Sequence, residues 1–575
     1  MACQVQLILA IFAALLAALP FLSLNSFPIR RLLYPTCRCF PGEPCWPSDE
    51  SWDAFNKTLG GKLIKTVPIG AVCHTNQSFV PYDAAACAEL QAHWNEADTH
   101  VSSPSSITAP FFADQSCDPF APPSSPCSIG TYVQYTVRAA GASDYRATIE
   151  FAKSNNIRLT IRNSAHDYFG KVTGAGAIAI WTHHLKDINV FDYASKHYTG
   201  KAAKVGAGVS MSEISQALKQ QGLLAVIGNA PTVGVAGGYT QGAGHGMIAS
   251  RHGLAADQVL EWEVVTAGGE LLTASPSKNQ DLYWALSGGG GGTYGIVLSM
   301  TVKAHPDEPT ATAFLQFNSE GISTDLFYET IATYLHNTLA ITDAGVGSIF
   351  QLSSAYFAVV PILGLGKTKE KIDELVQPTI DALTSKNIPF SYESTQYNSF
   401  HDAYAATTVE TPVAFGQLGG RLPPRSDIEF STTSFTGALR TIAEKGGLIS
   451  GLSFNVSRMP DVPNSVLPGW RRSTISLVTG LIWNNTDWNA NLEAQRIISE
   501  EFIPEIDRVS QQAPSSYMNE AAAREPNWKS VFFGDNYPEL LRIKKKYDPS
   551  GLFWARTAVG SDTWVEGSDK RLCRT

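Results

Sequence analysis

Alternating apolar and polar positions predict a strand at residues 157–162, with its apolar side chains on one face. The strand stops abruptly at a polar turn, RNSAHD, which occupies residues 162–167. Further strands are predicted at TYVQYTVR, residues 131–138, and at AIAIW, residues 177–181. The pattern therefore places a histidine at the tip of a strand-to-loop turn.

Helical periodicity predicts two helices among these strands. The first begins at a Ser143 cap and ends at residues 155–156. The second begins with a capping box formed by Ser210 and Glu213 and ends at Gly222. The resulting β-α-β-β order indicates helices packed on a sheet.

Two glycine clusters follow. GNAPTVGVAGGYTQGAGHG covers residues 228–246 and GGGGGTYG covers residues 288–295, with a predicted hairpin between them that turns at residues 267–269. Glycine-rich turns let backbone N–H groups approach a phosphate, although a need for positive φ alone would also explain them. The sequence has no G-x-x-x-x-G-K-[ST], and KVGAGVSMSE has the first two glycines of G-x-G-x-x-G but lacks the third.

Length and composition favour a packed protein of several domains. A chain of 575 residues exceeds the size that one hydrophobic core supports, and 44% apolar with 17% charged residues is ordinary for a globular protein. The net charge of −9 argues against nucleic acid as a partner. Residues 120–130, FAPPSSPCSIG, resemble a linker, and the loss of glycine clusters near residue 308 marks a domain boundary.

The apolar run at residues 7–24 reads as a targeting segment. We favour a cleaved signal peptide over residues 1–25, because the run is short, contains Pro20 and precedes a cysteine-rich region; a membrane anchor is the alternative. The protein is then expected to be secreted or to lie in the lumen of the secretory pathway. Four sequons agree with this and offer N-glycan sites at Asn56, Asn76, Asn455 and Asn484.

Cysteine spacing predicts a disulfide-stapled N-terminal extension over residues 26–124. Apart from Cys3, the cysteines are even in number: Cys37, Cys39, Cys45, Cys73, Cys87, Cys117, Cys127 and Cys573. Their pairing stays open, with Cys573 as a residue that would tie the C-terminus back. A zinc site is the weaker alternative, since only Cys37 and Cys39 are close together and no paired ligand spacing recurs.

Four blocks together resemble the FAD-linked oxidoreductases of the vanillyl-alcohol oxidase superfamily, in the berberine-bridge-enzyme-like branch that is abundant in fungi and plants. The blocks are RNSAHDYFG, the stretch from APTVGVAGG to GLAADQV, DLYWALSGGGGGTYGIV, and the C-terminal YMNEA with YPELLRIKKKYDPSGLF. They follow one another in the family's order from about residue 125 to residue 562. The resemblance also favours a filamentous fungus as the source.

The resemblance implies an α+β fold with a PCMH-type FAD-binding domain of two subdomains over residues 125–307. A substrate domain, an antiparallel sheet covered by helices, would occupy residues 308–510. A C-terminal segment, residues 511–575, would return to the FAD domain.

The resemblance also nominates the residues that bind FAD. His166 would be joined to the flavin 8α-methyl carbon. Ala230 stands where some members have a cysteine that makes a second covalent link, so a single link is expected. The residues expected at the cofactor are Arg162, Asn163, Ser164, Ala165, His166, Asp167, Gly234, Gly237, Gly238, Gly242, Gly244, His245, Gly246, Gly295, Ile296 and Asn519.

Other titratable residues give weaker signals. The sequence SYESTQYNSFHDAY suggests a substrate-cavity lining but would equally suit an ordinary strand and turn; its candidates are Tyr392, Glu393, Tyr397, His401 and Tyr404. A metal site at the His183 and His184 pair, or at His245 with His252, lacks a carboxylate at ligand spacing, so no metal is expected.

The implied chemistry is hydride removal from an alcohol, carbohydrate or amine, with dioxygen as the expected electron acceptor and hydrogen peroxide as the product. Within the same fold, a tailoring enzyme of secondary metabolism that performs oxidative cyclisation is an alternative. A non-catalytic secreted glycoprotein that retains the fold is an alternative of another class, and it predicts a colourless protein.

Overall fold

The structure is a computed structural model that describes residues 37–408, 410 and 412–575. The predicted signal peptide or anchor at residues 1–25 lies outside the described residues. Within the described part, no helix is sufficiently long and apolar to cross a lipid bilayer.

The N-terminal extension is folded and cross-linked. It contains helices α1 (Asp49–Thr58), α2 (Ala84–Ala92) and α3 (Ala97–Val101) and strand β1 (Leu63–Lys65). The predicted disulfides are confirmed, and they exclude zinc binding by these thiols: the pairs are Cys37–Cys573, Cys39–Cys45, Cys73–Cys87 and Cys117–Cys127. Residues 120–130 are not a free linker, because the last of these bonds closes a loop that includes residues 120–127.

A four-stranded sheet in the order β1-β2-β4-β3 carries the turn that the sequence singled out. Its other elements are β2 (Tyr135–Arg138), helix α4 (Ala142–Ser154), β3 (Arg158–Arg162) and β4 (Ala177–Trp181), with β3 and β2 both parallel to β4. The predicted Ser143 cap is wrong, since Gly141 is the N-cap. The carboxylate of Asp144 accepts the Ala140 N–H at 2.7 Å instead.

The second sheet is antiparallel and has the order β5-β6-β10-β8-β9. Its strands are β5 (Ile188–Ala194), β6 (Thr199–Gly206), β8 (Val259–Val265), β9 (Leu271–Ala274) and β10 (Ile296–Lys303); a separate pair joins β7 (Leu223–Leu224) to β11 (His305–Pro306). Helices α5 (Met211–Lys219), α6 (Thr240–Gly242), α7 (Ala249–His252) and α8 (Gln280–Leu286) accompany it. The Ser210–Glu213 capping box and the β8–β9 hairpin are confirmed.

A third sheet of seven antiparallel strands has the order β15-β12-β14-β13-β17-β18-β16. These strands are β12 (Thr310–Asn318), β13 (Gly347–Leu352), β14 (Tyr356–Leu365), β15 (Phe390–Tyr397), β16 (Gly416–Arg421), β17 (Leu448–Ser453) and β18 (Ile475–Ile482). Its helices are α9 (Thr324–Asp343), α10 (Lys369–Ser385), α11 (Phe400–Thr407), α12 (Arg425–Phe430), α13 (Thr432–Glu444), α14 (Gly469–Arg472), α15 (Trp488–Ile497) and α16 (Ile503–Val509). Phe350, Ile449 and Leu477 point from one sheet face into a core with these helices.

The C-terminal segment returns to the first sheet. It contains α17 (Trp528–Phe533), α18 (Tyr537–Tyr547), β19 (Trp564–Glu566) and β20 (Leu572–Arg574). Phe553 forms a parallel bridge with Leu159 of β3, so residues 125–307 do not complete their sheet without residues from the far end of the chain. The mixed α+β fold class is confirmed.

Candidate active site

A cavity of about 690 Å³ lies between the two N-terminal sheets and the seven-stranded sheet. One wall is formed by residues 163–167 of the turn, by Tyr168 and by residues of both glycine clusters. The opposite wall is the face of β13, β16, β17 and β18 that is turned away from the helical core. Tyr517, Asn519 and Glu520 of the C-terminal segment complete the lining. The three parts of the chain therefore meet at one site.

The 162–167 turn presents backbone donors to this cavity. Ala165 has a φ of 62°, a left-handed conformation that a non-glycine residue adopts at a cost of about 1–3 kcal/mol. The Asp167 carboxylate braces the turn by accepting the N–H groups of Phe169 and Val172, both at 2.9 Å. Within the described residues, the N–H groups of Ser164, Ala165 and His166 have no protein acceptor. Ser164 and Ala165 are buried and His166 is half-buried. Because buried backbone donors are nearly always paired, these N–H groups indicate an anionic or carbonyl-bearing ligand.

Arg162 anchors the turn from behind. Its buried guanidinium donates to the carbonyl oxygens of Ser106, His100 and Ser103 at 2.6, 2.9 and 2.8 Å. Burial lowers the pKa of Arg162 to about 9. The side chain of this predicted cofactor residue thus holds the N-terminal extension, and only its backbone belongs to the turn.

His166 lies at the cavity wall with Nε2 2.7 Å from the Thr232 hydroxyl. Burial, with a smaller contribution from His100, lowers the pKa of His166 to about 4. The imidazole is therefore neutral near pH 7, which is the form in which a histidine nitrogen acts as a nucleophile.

The two glycine clusters pack backbone to backbone beside the turn. A Cβ on Gly291 would lie 3.0 Å from the Gly238 Cα, and one on Gly234 would lie 2.6 Å from the Asn163 amide nitrogen. The Asn519 amide donates to the Gly238 carbonyl at 2.7 Å and would be 2.6 Å from a Cβ on Gly242. These glycines and Asn519 shape one continuous wall.

Not every predicted glycine faces the cavity. Gly242, Gly244, Gly246 and Ile296 are absent from its lining, whereas Gly234, Gly237, Gly238 and Gly295 belong to it. A Cβ on Gly246 would meet the Ile227 carbonyl oxygen at 2.1 Å, and one on Gly295 would meet Val264 at 2.5 Å. Packing inside the protein already accounts for glycine at these two positions.

The donor set fits FAD. The free N–H groups of the turn and the Lys171 ammonium could meet the diphosphate, while His166 and the glycine wall would flank the flavin. Lys171 lines the cavity, and burial lowers its pKa to about 8, partly offset by Asp167. Ala230, also in the lining, has no sulfur with which to form a second covalent link.

His245 and Glu520 form an acid–base pair at the cavity, which the sequence did not reveal. His245 Nε2 lies 3.1 Å from Glu520 Oε1, with side chains 14% and 27% exposed. The Nδ1 atom of His245 is buried without a partner among the described residues. Glu520 follows Asn519 in YMNEA, and this adjacency was the one available signal. The pair can accept or donate a proton inside the cavity.

The opposite wall is mainly aliphatic. Strand alternation sends Ile349, Leu418, Leu448, Leu452 and Val478 to the cavity face, because Phe350, Ile449 and Leu477 point to the other side. Gln351, Ser450 and Ser476 add a few polar groups to the same face. Such a lining favours a largely apolar ligand with a small number of polar contacts.

The candidates from the SYESTQYNSFHDAY stretch do not line the cavity. Tyr392, Glu393 and Tyr397 lie on the edge strand β15, where the Tyr392 hydroxyl donates to Asp373 at 2.7 Å. His401 is buried between the Ser215 hydroxyl and the Leu223 carbonyl, and Tyr404 donates to the Gly228 carbonyl at 2.9 Å. Tyr392, His401 and Tyr404 therefore have hydrogen-bonding partners outside the cavity, and Glu393 and Tyr397 belong to the edge strand.

Among the described residues, the histidines considered for metal binding do not belong to a grouping of three ligands. His245 contacts Glu520, whereas His252 stacks on His305 with ring centroids 4.0 Å apart. The His183 and His184 rings meet edge to face at 5.2 Å. Among the described residues, the grouping that has metal-ligand spacing is Cys39, Glu43 and Cys45, and its two sulfurs are bonded to each other.

Two families match parts of the chain. The family described as FAD binding domain matches residues 133–275, which contain the turn and the first glycine cluster. The family described as berberine and berberine like matches residues 516–560, which contain Asn519 and Glu520. Both matches fall on walls of the same cavity.

Whole-length relatives are fungal. The chain is 48% identical to the FAD-linked oxidoreductase sor8 of Hypocrea jecorina, over 94% of this chain and 93% of that protein. It is 39% identical to the bifunctional decalin synthase calF of Penicillium decumbens, over 94% of this chain and 96% of that protein. It also resembles the crystal structure of the VAO-type flavoprotein MtVAO615 from Myceliophthora thermophila, with a TM-score of 0.90 and 38% identity, over 94% of this chain and all of that one.

Proposed function

The chain belongs to the VAO-type FAD-linked oxidoreductases with a berberine-like C-terminal segment, and we propose that it oxidises an apolar small molecule with FAD attached to His166. The observation that supports this most directly is the cavity, where His166 and the N–H groups of the turn, which have no acceptor in residues 37–408, 410 and 412–575, face an aliphatic sheet. When bound there, FAD supplies the acceptor for a hydride.

Glu520 is the proposed proton acceptor. Its carboxylate would take the proton from a substrate hydroxyl or amine, and His245 would hold that carboxylate in position through the 3.1 Å contact. The buried Tyr517 and Trp470 rings pack against the His245 imidazole at centroid distances of 5.1 and 5.6 Å and against each other at 5.2 Å, which fixes the orientation of the imidazole. The aliphatic wall would exclude water and orient the substrate.

The substrate class follows from that wall. Five aliphatic side chains against a few neutral polar groups suit a reduced, largely hydrocarbon skeleton better than a sugar. One relative carries the name decalin synthase, which supports a role in tailoring secondary metabolites. A carbohydrate or small alcohol is the second candidate, supported by Gln351, Ser450 and Ser476 on the same face.

We also propose dioxygen as the final electron acceptor and secretion as the destination. The disulfides of the described residues support an oxidising compartment. Asn76 and Asn484 are exposed sequon residues and are the preferred glycan sites, whereas Asn56 and Asn455 are half-buried.

The absorbance spectrum of the purified protein, before and after acid precipitation, tests the proposal. We expect a yellow protein whose colour stays with the precipitate and is released in His166→Ala. A colourless wild-type protein would instead support the non-catalytic glycoprotein. A screen of polycyclic alcohols against oligosaccharides, read by peroxide formation, then separates the two substrate classes.

A further inference from the structure

The side chains behind His166 form a hydrogen-bond chain that no part of the proposed oxidation uses. His166 Nε2 is 2.7 Å from the Thr232 hydroxyl oxygen, and the Thr232 hydroxyl donates to Glu410 Oε1 at 3.0 Å. Because the single Thr232 proton points at Glu410, the Thr232 oxygen must accept the proton of His166 Nε2. Glu410 is exposed, so the chain runs from the cavity wall to solvent.

This arrangement fixes one tautomer. With the proton on Nε2, the lone pair is on Nδ1, and within the described residues the one hydrogen bond of the His166 side chain is that of Nε2. We propose that Thr232 and Glu410 are positioning residues for covalent flavin attachment, presenting Nδ1 of His166 as the nucleophile and receiving its Nε2 proton. This inference rests on the covalent link proposed above.

The step balances. Nδ1 of His166 forms a bond to the flavin 8α carbon, one C–H bond of that methyl group breaks, and the Nε2 proton leaves through Thr232 to Glu410 and solvent. Both hydrogens leave as protons, and two electrons remain in the flavin ring system. Dioxygen accepts these electrons with two protons and becomes hydrogen peroxide, which restores the oxidised flavin.

The test compares full-length variants purified with their flavin. Thr232→Val keeps the shape but removes the hydroxyl, whereas Thr232→Ser keeps the hydroxyl. Total flavin per chain is measured, and then the fraction that stays with acid-precipitated protein. We expect at least a tenfold lower covalent fraction in Thr232→Val at unchanged total flavin, near wild-type values in Thr232→Ser, and a smaller loss in Glu410→Ala.

NMR of the isolated flavin peptide identifies the substituted nitrogen, and we expect Nδ1. Attachment through Nε2, or a wild-type covalent fraction in Thr232→Val, would overturn the proposed roles of Thr232 and Glu410 but not the covalent attachment of the flavin. If Thr232→Val does not fold, an unchanged covalent fraction in Glu410→Ala overturns it instead. A wild-type protein whose flavin is wholly released by acid overturns both the covalent attachment to His166 and the proposed roles of Thr232 and Glu410.

Discussion

The Lys544–Asp548 pair and the His245–Glu520 pair differ in how many of their hydrogen-bonding groups have partners. The Lys544 ammonium uses all three protons, on Asp548 and on the carbonyls of Thr293 and Phe553, each at 2.7 Å. Asp548 also accepts the N–H groups of Leu552 and Phe553. His245 and Glu520, in contrast, face a cavity, and Nδ1 of His245 has no partner in the part of the chain that the structure describes.

This difference in hydrogen bonding distinguishes a pair that stabilises the fold from a pair that can take part in chemistry. Burial alone would raise the pKa of Asp548, but the Lys544 ammonium and the backbone donors hold it below its ordinary value. A saturated ion pair of this kind has no capacity left for a ligand, so it fixes Phe553 beneath the cavity. An unsaturated pair retains capacity for chemistry.

Removing one partner of the saturated pair is expected to have the largest effect. Asp548→Ala leaves a buried ammonium without its counter-charge and should lower the free energy of unfolding by about 3–5 kcal/mol. Chemical denaturation measures this loss. The exposed Lys529–Asp562 pair is the matched control, and Asp562→Ala should cost about 1 kcal/mol or less. Equal losses in both variants would contradict the distinction.

Removing the carboxylate of the His245–Glu520 pair should leave the free energy of unfolding nearly unchanged and slow the oxidation of substrate. Glu520→Gln is expected to reduce the rate of flavin reduction by substrate about 100-fold, a barrier increase of about 3 kcal/mol, with unchanged flavin content. Stopped-flow absorbance measures this rate. Glu539→Gln, in an exposed pair with Arg542, is the control. A rate within twofold of wild type would remove Glu520 from the mechanism.

His100 extends the comparison to a histidine whose hydrogen-bonding groups are all paired. Both ring nitrogens are paired, with Ser106 Oγ and the Trp94 carbonyl, and burial lowers its pKa to about 4. The folded state therefore binds fewer protons than the unfolded state between pH 6.5 and 4, and the stability contributed by neutral His100 is lost as pH falls through that window. Wild-type unfolding free energy should drop across it by up to about 3 kcal/mol more than in His100→Asn. Parallel pH profiles of denaturation would contradict this.

Local patterns predicted the parts of the fold that depend on neighbouring residues. The Ser210–Glu213 capping box, the β8–β9 hairpin and the His166 turn each arise within a few residues, so spacing and residue type were sufficient. The prediction of a Ser143 cap was wrong because the helix begins after Gly141, and the Asp144 carboxylate accepts the Ala140 N–H ahead of it.

Long-range contacts could not be predicted in this way. Glu520 meets His245 across 275 positions, and no periodicity marks that approach. Conversely, the tyrosines of residues 392–404 looked functional because aromatic and acidic residues alternate there, yet strand order places β15 at the edge of its sheet. The order of strands in a sheet decides which side chains reach the cavity.

The bond between Cys37 and Cys573 closes 536 positions of chain into a covalent ring. One cut by a protease at any loop inside that ring opens it without producing two separable pieces. A nicked molecule would run as one band until a reducing agent is added. For the secreted enzyme proposed above, the ring means that a first cleavage does not release either wall of the cavity from the other.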